Sequence, residues 1–280
     1  MLIKSAVTQA QKKVGLSTTQ PALPARSMLQ VWTEAVSDST SKPAFTCLGQ
    51  TLSYGEIDQL SRRVASYLQK RLKLQAGDRI AIQLPNLIQY PVVAIAAMKL
   101  GLVIVNTNPM YSVRELVHQF NDAGVKAVIV LDQFYDVLAE AAPQTSVEHI
   151  IVTRALDLMS PSKQTLLGGL MMLMGKRPRI KGQDIIDFKD LLAGGTSYGN
   201  HRASVDDICA LQYTGGTTGP SKGVMLTQSC LTANVAQALD VISVASESAR
   251  YSVTALPLPL YHIYAFSLCV GVLPALRGHS

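Results

Sequence analysis

The sequence predicts an α/β fold in which mostly parallel sheets are flanked by helices, as three observations indicate. Hydrophobic residues make up 48% of the 280 residues and charged residues only 16%, a composition that argues against a disordered chain. Short apolar runs alternate with segments whose apolar residues have helical spacing. The segments between successive apolar runs are long enough for a crossover helix, the usual connection between parallel strands.

The first predicted helix begins at a capping box. Ser53 and Glu56 have the spacing at which a hydroxyl and a carboxylate satisfy the free amides of a helix start. Apolar residues then recur at helical spacing, and we expect the helix to end near Arg71. The run 79–84 alternates like a strand, and the Pro-Asn pair at 85–86 ends it.

The most apolar part of the sequence is 91–105. It is shorter than the roughly 20 residues that a membrane-spanning helix needs. It also contains Lys99 and Gly101. We therefore expect a buried helix at 89–100, ended by Gly101, and a buried strand at 102–105.

A second capping box opens the next predicted helix. Ser112 and Glu115 repeat the spacing of the first box, and Gly124 ends the helix after Ala123. The pattern then predicts a strand at 126–131, a helix at 134–142 and a strand at 149–153.

Residues 1–30 are predicted to be an N-terminal extension. They lack the continuous apolar region of a secretory signal. They hold basic residues and no acidic one, which gives a faint resemblance to a transit peptide. A frayed basic terminus is the preferred interpretation.

The segment 156–186 allows two interpretations. Residues 166–174 are apolar and rich in methionine and glycine, and the basic run KRPRIK follows at 176–181. One interpretation is a surface helix packed on the domain with a solvated basic turn. The other is peripheral contact of 165–181 with a membrane, in which apolar residues enter the bilayer and basic residues meet anionic headgroups.

The charge and the cysteine content of the chain limit the classes of binding partner and the cellular compartment that we expect. The formal net charge of +6 favours anionic partners, but aromatic residues are only 6% and do not alternate with basic ones, so no nucleic-acid partner is expected.

The cysteines show no metal-ligand or CxxC spacing. They are predicted to be reduced, buried thiols of a cytoplasmic protein: Cys47, Cys209, Cys230 and Cys269.

The clearest chemical signal is the run TGGTTGPSKG at 214–223. A predicted strand at 208–213 precedes it, and a short strand at 224–226 follows. Thr227 then predicts the start of a helix that continues to about Ala245.

This run has the composition of a polyphosphate cradle. Its glycines let the backbone approach a ligand, its exposed amides and hydroxyls can donate to anionic oxygens, and Lys222 adds a positive charge. A flexible linker is a weaker interpretation, because two short apolar strands flank the run. The patterns GxxxxGK[ST] and GxGxxG both fail, so neither a conventional P-loop nor a Rossmann fingerprint is present.

The block 213–224, YTGGTTGPSKGV, resembles the signature phosphate loop of the adenylate-forming superfamily. Three further blocks resemble that superfamily, and together the resemblance covers most of 30–270. The amino-acid sequences of these blocks are most similar to those of bacterial long-chain fatty acid–CoA ligases. The blocks are 51–68, 77–116 and 256–267.

The resemblance implies an acyl-CoA synthetase-like N-terminal domain that activates a long-chain fatty acid with ATP and Mg²⁺. Acyl-AMP and pyrophosphate form, and CoA then displaces AMP. The resemblance places His262 beside the acyl carboxylate as the catalytic residue, Tyr261 near the same pocket, and the Thr214 hydroxyl near the metal ion. The ATP-binding residues that it implies are Tyr213, Thr214, Gly215, Gly216, Thr217, Thr218, Gly219, Pro220, Ser221, Lys222, Gly223 and Val224.

The resemblance also implies that residues 31–280 are only part of an AMP-binding domain. The family's adenine-binding and ribose-binding motifs and its small C-terminal domain lie beyond the matched blocks. We therefore expect an inactive fragment of a ligase of fatty acid metabolism, cytoplasmic and in peripheral contact with the inner face of the membrane. Two alternatives stay open: an adenylating enzyme for another carboxylic acid or acceptor, and a non-catalytic nucleotide- or membrane-binding module.

Overall fold

A seven-stranded sheet organises the residues that the computed structural model describes, which are 9–13, 26–173, 185–216, 219–245 and 252–280. The strands, including a separate antiparallel pair formed by the first two, are β1 (Pro43–Cys47), β2 (Gln50–Ser53), β3 (Arg79–Gln83), β4 (Val103–Asn106), β5 (Val125–Leu131), β6 (His149–Thr153), β7 (Ile185–Asp187), β8 (Ile208–Gly216) and β9 (Gly219–Thr227).

The strands of the large sheet lie in the order β7-β6-β5-β3-β4-β8-β9. Neighbouring strands are parallel except β8 and β9, which are antiparallel. Within the described residues β9 is therefore an edge strand. The prediction of a mostly parallel sheet flanked by helices is confirmed.

Helices connect the strands of the sheet. In chain order they are α1 (Met28–Ser39), α2 (Tyr54–Lys70), α3 (Gln89–Leu100), α4 (Val113–Ala123), α5 (Tyr135–Ala141), α6 (Pro161–Leu173), α7 (Phe188–Ala193), α8 (Gln228–Ala245), α9 (Ile263–Ser267) and α10 (Leu273–Leu276). A π-helical turn, Leu268–Val272, joins the last two. None of the helices in the described parts of the chain is long and apolar enough to cross a bilayer.

Both predicted capping boxes are present. The Ser53 hydroxyl accepts from the Glu56 amide, and the Glu56 carboxylate accepts from the Ser53 amide at 2.8 Å. Ser112 and Glu115 form the same arrangement at the start of α4. These helix starts could be predicted because their hydrogen bonds are local in sequence.

Helices cover both faces of the sheet. One apolar cluster packs α1, α2, α3 and α7 against one face. A second cluster packs α4 and α5 against the other. The chain passes from β3 to β4 through α3 and returns to β5 through α4, so its direction across the sheet reverses. In such sheets ligands bind outside the carboxyl ends of the strands at the reversal, which directs attention to the ends of β3, β4 and β8.

Helix α3 is buried over its whole length, as predicted, including Lys99. The Lys99 ammonium lies 2.5 Å from the Asp58 carboxylate of α2, and the Arg62 guanidinium lies 2.6 Å from the same carboxylate. The Trp32 indole of α1 also donates to Asp58. Burial alone would raise the pKa of Asp58, but the two cations lower it below its ordinary value. This cluster ties together three helices on one face of the sheet.

Some elements differ from the sequence predictions. The composition did not reveal α1, the β1–β2 pair, β7 or α7. Most of the predicted N-terminal extension, the basic run 176–181 and the threonines 217–218 lie outside the described residues.

Candidate active site

The predicted phosphate loop is mostly an antiparallel hairpin. Strand β8 continues to Gly216 and β9 starts at Gly219, so the expectation of an irregular run at 214–223 with a strand only at 224–226 is wrong. Tyr213 pairs with Gly223, and Thr214 pairs with Lys222. The reason is that pairing between β8 and β9 holds residues such as glycine and proline in strands that their composition does not favour. We call β8 and β9 from 213 to 224 the phosphate hairpin.

Thr214 and Lys222 form the exposed polar part of this hairpin. Directly opposed residues of an antiparallel pair project from the same face, so the hydroxyl and the ammonium lie on one side. Both residues are exposed. In the described part of the chain Lys222 forms no ion pair. Its positive charge is therefore available to an anionic ligand.

Two glycines of the hairpin have different surroundings. A Cβ at Gly223 would lie 2.9 Å from Cζ of Tyr213, so this position is glycine because the tyrosine ring packs on its backbone. A Cβ at Gly215 would meet no atom within 4 Å. Open space beside Gly215 is what a ligand approaching the backbone requires.

Helix α4 braces the hairpin from the opposite face. The Tyr213 hydroxyl donates to the Asp122 carboxylate at 2.5 Å, and Nε2 of His118 lies 2.8 Å from the carbonyl oxygen of Ser221. A carbonyl oxygen only accepts, so His118 donates from Nε2. Burial and the Asp122 carboxylate both raise the pKa of Tyr213, which keeps its proton for this hydrogen bond. No sequence pattern indicates His118 or Asp122, because their contacts depend on how α4 packs.

His262 lies at the N-cap of α9 and is exposed. Its ring packs against the ring of Tyr261, with the centroids 4.8 Å apart. The side-chain amide of Gln212 donates to the carbonyl oxygen of Tyr261 at 3.0 Å. Since Gln212 precedes Thr214 by two residues in β8, the structure links the histidine segment to the beginning of the phosphate hairpin.

An apolar groove lies between α8 and the helical segment that starts at α9, and Ile263, the residue after His262, is part of its lining. Its volume is about 580 Å³. The lining is largely apolar and includes Leu231, Val241, Tyr264 and Leu268, with Cys230 at one wall. Tyr264 is 67% exposed, so the groove is open to solvent.

The cysteines are all free thiols. Cys209 and Cys269 are buried as predicted, and burial raises the pKa of the Cys209 thiol to about 12. The prediction of burial is wrong for Cys230, which is exposed because it faces the open groove, and Cys47 is half-buried.

Metal ligands are sparse. In the described ranges no three His, Cys, Asp or Glu side chains gather into a group that could hold a metal ion. The predicted metal-binding residue, Thr214, is exposed and would offer a single hydroxyl oxygen. An ion there would need its remaining ligands from water and from the phosphates of a bound nucleotide, which is the usual manner of Mg²⁺ binding.

Comparison with known proteins identifies the family of this chain. The model of the family described as AMP-binding enzyme matches residues 32–279. The long-chain-fatty-acid–CoA ligase of Haemophilus influenzae is 37% identical over 246 residues, which are 86% of this chain and 44% of that protein. The ligase of the same name from Salmonella typhimurium is 35% identical over 267 residues, or 92% and 47%. The chain thus spans about half the length of the curated relatives it matches.

Solved structures show the same fold. A long-chain-fatty-acid–CoA ligase from Archaeoglobus fulgidus superimposes with a TM-score of 0.73 at 22% identity, covering 93% of this chain and 47% of that one. An anthranilate CoA ligase with bound anthranoyl-AMP gives a TM-score of 0.73 at 16% identity, covering 92% and 45%. At these identities the similarity concerns the fold alone.

Proposed function

This chain belongs to the AMP-binding enzyme family, and from that premise we propose that it carries the phosphate-binding and acyl-binding part of a ligase for long-chain fatty acids. The proposed reaction joins the fatty acid to ATP as acyl-AMP, releases pyrophosphate and then transfers the acyl group to CoA. Relatives named long-chain-fatty-acid–CoA ligase support the choice of acid and acceptor. The observation that carries the proposal is the opposed Thr214 and Lys222 on an exposed hairpin.

The phosphate hairpin would hold the ATP phosphates. Lys222 forms no ion pair among the described residues, so binding a phosphate oxygen would not require it to leave another partner. The Thr214 hydroxyl lies on the same side, and the open space at Gly215 admits a ligand to the backbone amides. On the opposite face, the Tyr213 ring packs on Gly223 and its hydroxyl bonds to Asp122, which holds the hairpin against α4. The whole block 213–224 is proposed as the ATP-binding element.

His262 would orient the fatty acid carboxylate. The groove that Ile263 helps to line has the size and apolar lining of small-molecule sites in general, and it would take the hydrocarbon chain. The exposed imidazole of the preceding residue, His262, can donate a hydrogen bond to a carboxylate oxygen. The acid would then be held at both ends, with its reactive oxygen on the side of the phosphate hairpin.

The chemistry follows from these positions. ATP, when bound, supplies the α-phosphate that the carboxylate attacks, so a new P–O bond forms as the bond to pyrophosphate breaks. Lys222 stabilises negative charge on the departing phosphates, and His262 keeps the attacking oxygen in place. Thr214 is the residue proposed to contact Mg²⁺, with the phosphates supplying other ligands.

Calorimetric titration of the chain with ATP in the presence of Mg²⁺ tests this proposal. We expect Lys222→Ala to weaken binding by about tenfold or more, since a charge-assisted contact is lost. Lys70→Ala removes an equally exposed lysine at the end of α2 and is the matched control, which should bind ATP normally. Equal affinities of Lys222→Ala and the unsubstituted chain would contradict the assignment of the hairpin.

We also propose that 165–181 contacts the membrane peripherally, on the cytoplasmic inner face. Leu166 on α6 is 74% exposed, so this segment has a large apolar side chain that can contact a bilayer, and this supports the idea. Replacing Lys176, Arg177, Arg179 and Lys181 with glutamate should abolish co-sedimentation with anionic liposomes. Unchanged sedimentation of that variant would contradict the proposal.

A further inference from the structure

The segment that carries His262 cannot be held by strand pairing. It reads LPLPL at 256–260 and contains Pro257 and Pro259, which have no amide hydrogen to donate. It is not a strand of the described sheet. Its backbone groups must therefore find other partners.

Asn86, in the segment that follows β3, forms hydrogen bonds with three of those backbone groups. Its side-chain nitrogen donates to the carbonyl oxygens of Leu256 at 2.9 Å and Leu258 at 3.0 Å. Its side-chain oxygen accepts from the amide of Leu260 at 2.9 Å. One amide side chain thus uses both of its ends on a single stretch of backbone, which fixes that stretch in position and direction.

Gln212 forms the next hydrogen bond, with the backbone carbonyl of Tyr261. The side-chain oxygen of Gln212 accepts from the Asn106 amide of β4 at 3.0 Å, so its nitrogen is the end that faces the Tyr261 carbonyl. The Tyr90 hydroxyl of α3 bonds to the side-chain oxygen of Asn106 in turn. A buried line of polar side chains therefore runs from α3 through β4 and β8 to the residue before His262.

These contacts use the backbone oxygens of 256, 258 and 261 and the amide of 260, while the His262 amide closes a turn onto the Pro259 oxygen. We propose that Asn86 and Gln212 are positioning residues that fix His262 relative to the phosphate hairpin. Gln212 connects the His262 segment to the phosphate hairpin, because it contacts Tyr261 and also lies in β8, two residues before Thr214. The catalytic meaning of this placement rests on the function proposed above.

The test uses the full chain with ¹³C-labelled histidine rings, and His262→Gln identifies the His262 resonance. Asn86→Asp and Gln212→Glu keep the side-chain shapes but place a carboxylate where an amide donates. Gln69→Glu is the matched control, because Gln69 holds the backbone of Gly199 by both ends of its amide, far along the chain from His262. Without ligand, we expect the His262 resonance to shift in the two test variants and to stay in place in the control.

An unshifted His262 resonance in both test variants would overturn the inference. A buried carboxylate can also prevent folding, and Gln212→Met then decides, because it removes the hydrogen bonds without adding charge. The His149 resonance of β6, which lies outside this network, reports whether the variant has its native fold. A natively folded Gln212→Met chain with His262 unshifted would overturn the assignment of Gln212.

Ligand titrations separate this inference from the proposed function. If palmitate leaves the His262 resonance of the unsubstituted chain unchanged, the proposed function fails, and the unliganded spectra still decide the positioning. If palmitate binds, Asn86→Asp should weaken its affinity about tenfold or more, because a displaced His262 loses its hydrogen bond to the carboxylate. ATP affinity should change by less than about twofold. Equal losses for both ligands would indicate general damage and contradict a positioning role.

Discussion

The central strands and the phosphate hairpin belong to one sheet but differ in how they are held. In β5 every residue except Lys126 is buried, and parallel neighbours pair with it on both sides. In β9 Val224 and Met225 are 47% and 65% exposed, and β8 is the one strand among the described residues that pairs with it. Within the described residues, the sheet thus concentrates its packing at the centre, while β9 at the edge keeps apolar side chains exposed.

Strand β8 belongs to both regions. Its register with β4 covers Ala210 to Gln212, and beyond that point it pairs only with β9 in the described residues. Pairing with β4 ends at Gln212. The side chain of Gln212 also donates the hydrogen bond to Tyr261, the residue before His262. The hairpin is thus an extension of a rigid strand, and its other support is α4.

Asp58→Asn should have the largest effect of the changes that probe the packed region. It leaves the Lys99 ammonium buried without a carboxylate, which costs about 3–5 kcal/mol of unfolding free energy. Urea unfolding measures this loss. Glu34→Gln, which breaks the exposed pair with Arg26, is the control and should cost less than about 1 kcal/mol. Similar losses for the two variants would contradict the difference between packed centre and exposed surface.

The same residue predicts a pH dependence. Burial opposes ionisation of Asp58, but Lys99 and Arg62 lower its pKa below the ordinary value of 3.8. The stability that this carboxylate contributes is therefore complete above about pH 4 and is lost as the pH falls through the lowered pKa of the folded protein. The chain should lose unfolding free energy below about pH 4 more steeply than Asp58→Asn. Parallel acid profiles would show that this carboxylate is not the cause.

Gly223→Ala should have a smaller effect that is confined to the hairpin. The added methyl group would press on the Tyr213 ring and disturb its hydrogen bond to Asp122, at a cost of about 1–3 kcal/mol. Gly215→Ala meets no neighbour and is the control on the same hairpin. Thermal unfolding distinguishes the two. A Gly223→Ala chain as stable as Gly215→Ala would mean that Tyr213 does not brace the hairpin.

Tyr213→Phe should have the smallest effect, about 1 kcal/mol, because it removes one hydrogen bond and keeps the packed ring. Its clearest readout is amide hydrogen exchange, which should become faster in β9 and stay unchanged in β5. Equal acceleration in both strands would show that hairpin and centre open together.

The sequence predicted elements whose cause is local. The capping boxes at Ser53 and Ser112 and the left-handed glycines that end α3 and α4, Gly101 and Gly124, need only neighbouring residues. The short strands β1, β2 and β7 were not predicted, because each is only three to five residues long and its composition is unremarkable. Strand pairing of the phosphate run was missed because runs that contain glycine and proline are not typical of strands.

The candidate site divides in the same way. Glycines, hydroxyls and Lys222 indicated anion binding from composition alone, while the role of His262 came from a resemblance and stays a prediction. Asn86 was predicted only to end a strand, yet its side chain holds a segment about 170 residues further along the chain. Contacts of this kind, like that of His118 with Ser221, depend on packing that no local pattern encodes.

The edge position of β9 has a consequence for solubility. An unpaired strand edge offers a template on which another chain can add and begin aggregation. Pro220 of β9 has no amide hydrogen to donate to an added strand, and Lys222 adds an exposed charge, two features that discourage such addition. The residues proposed to hold phosphate are therefore also expected to oppose strand addition, and a variant that lacks the lysine charge should be more prone to self-association at high concentration.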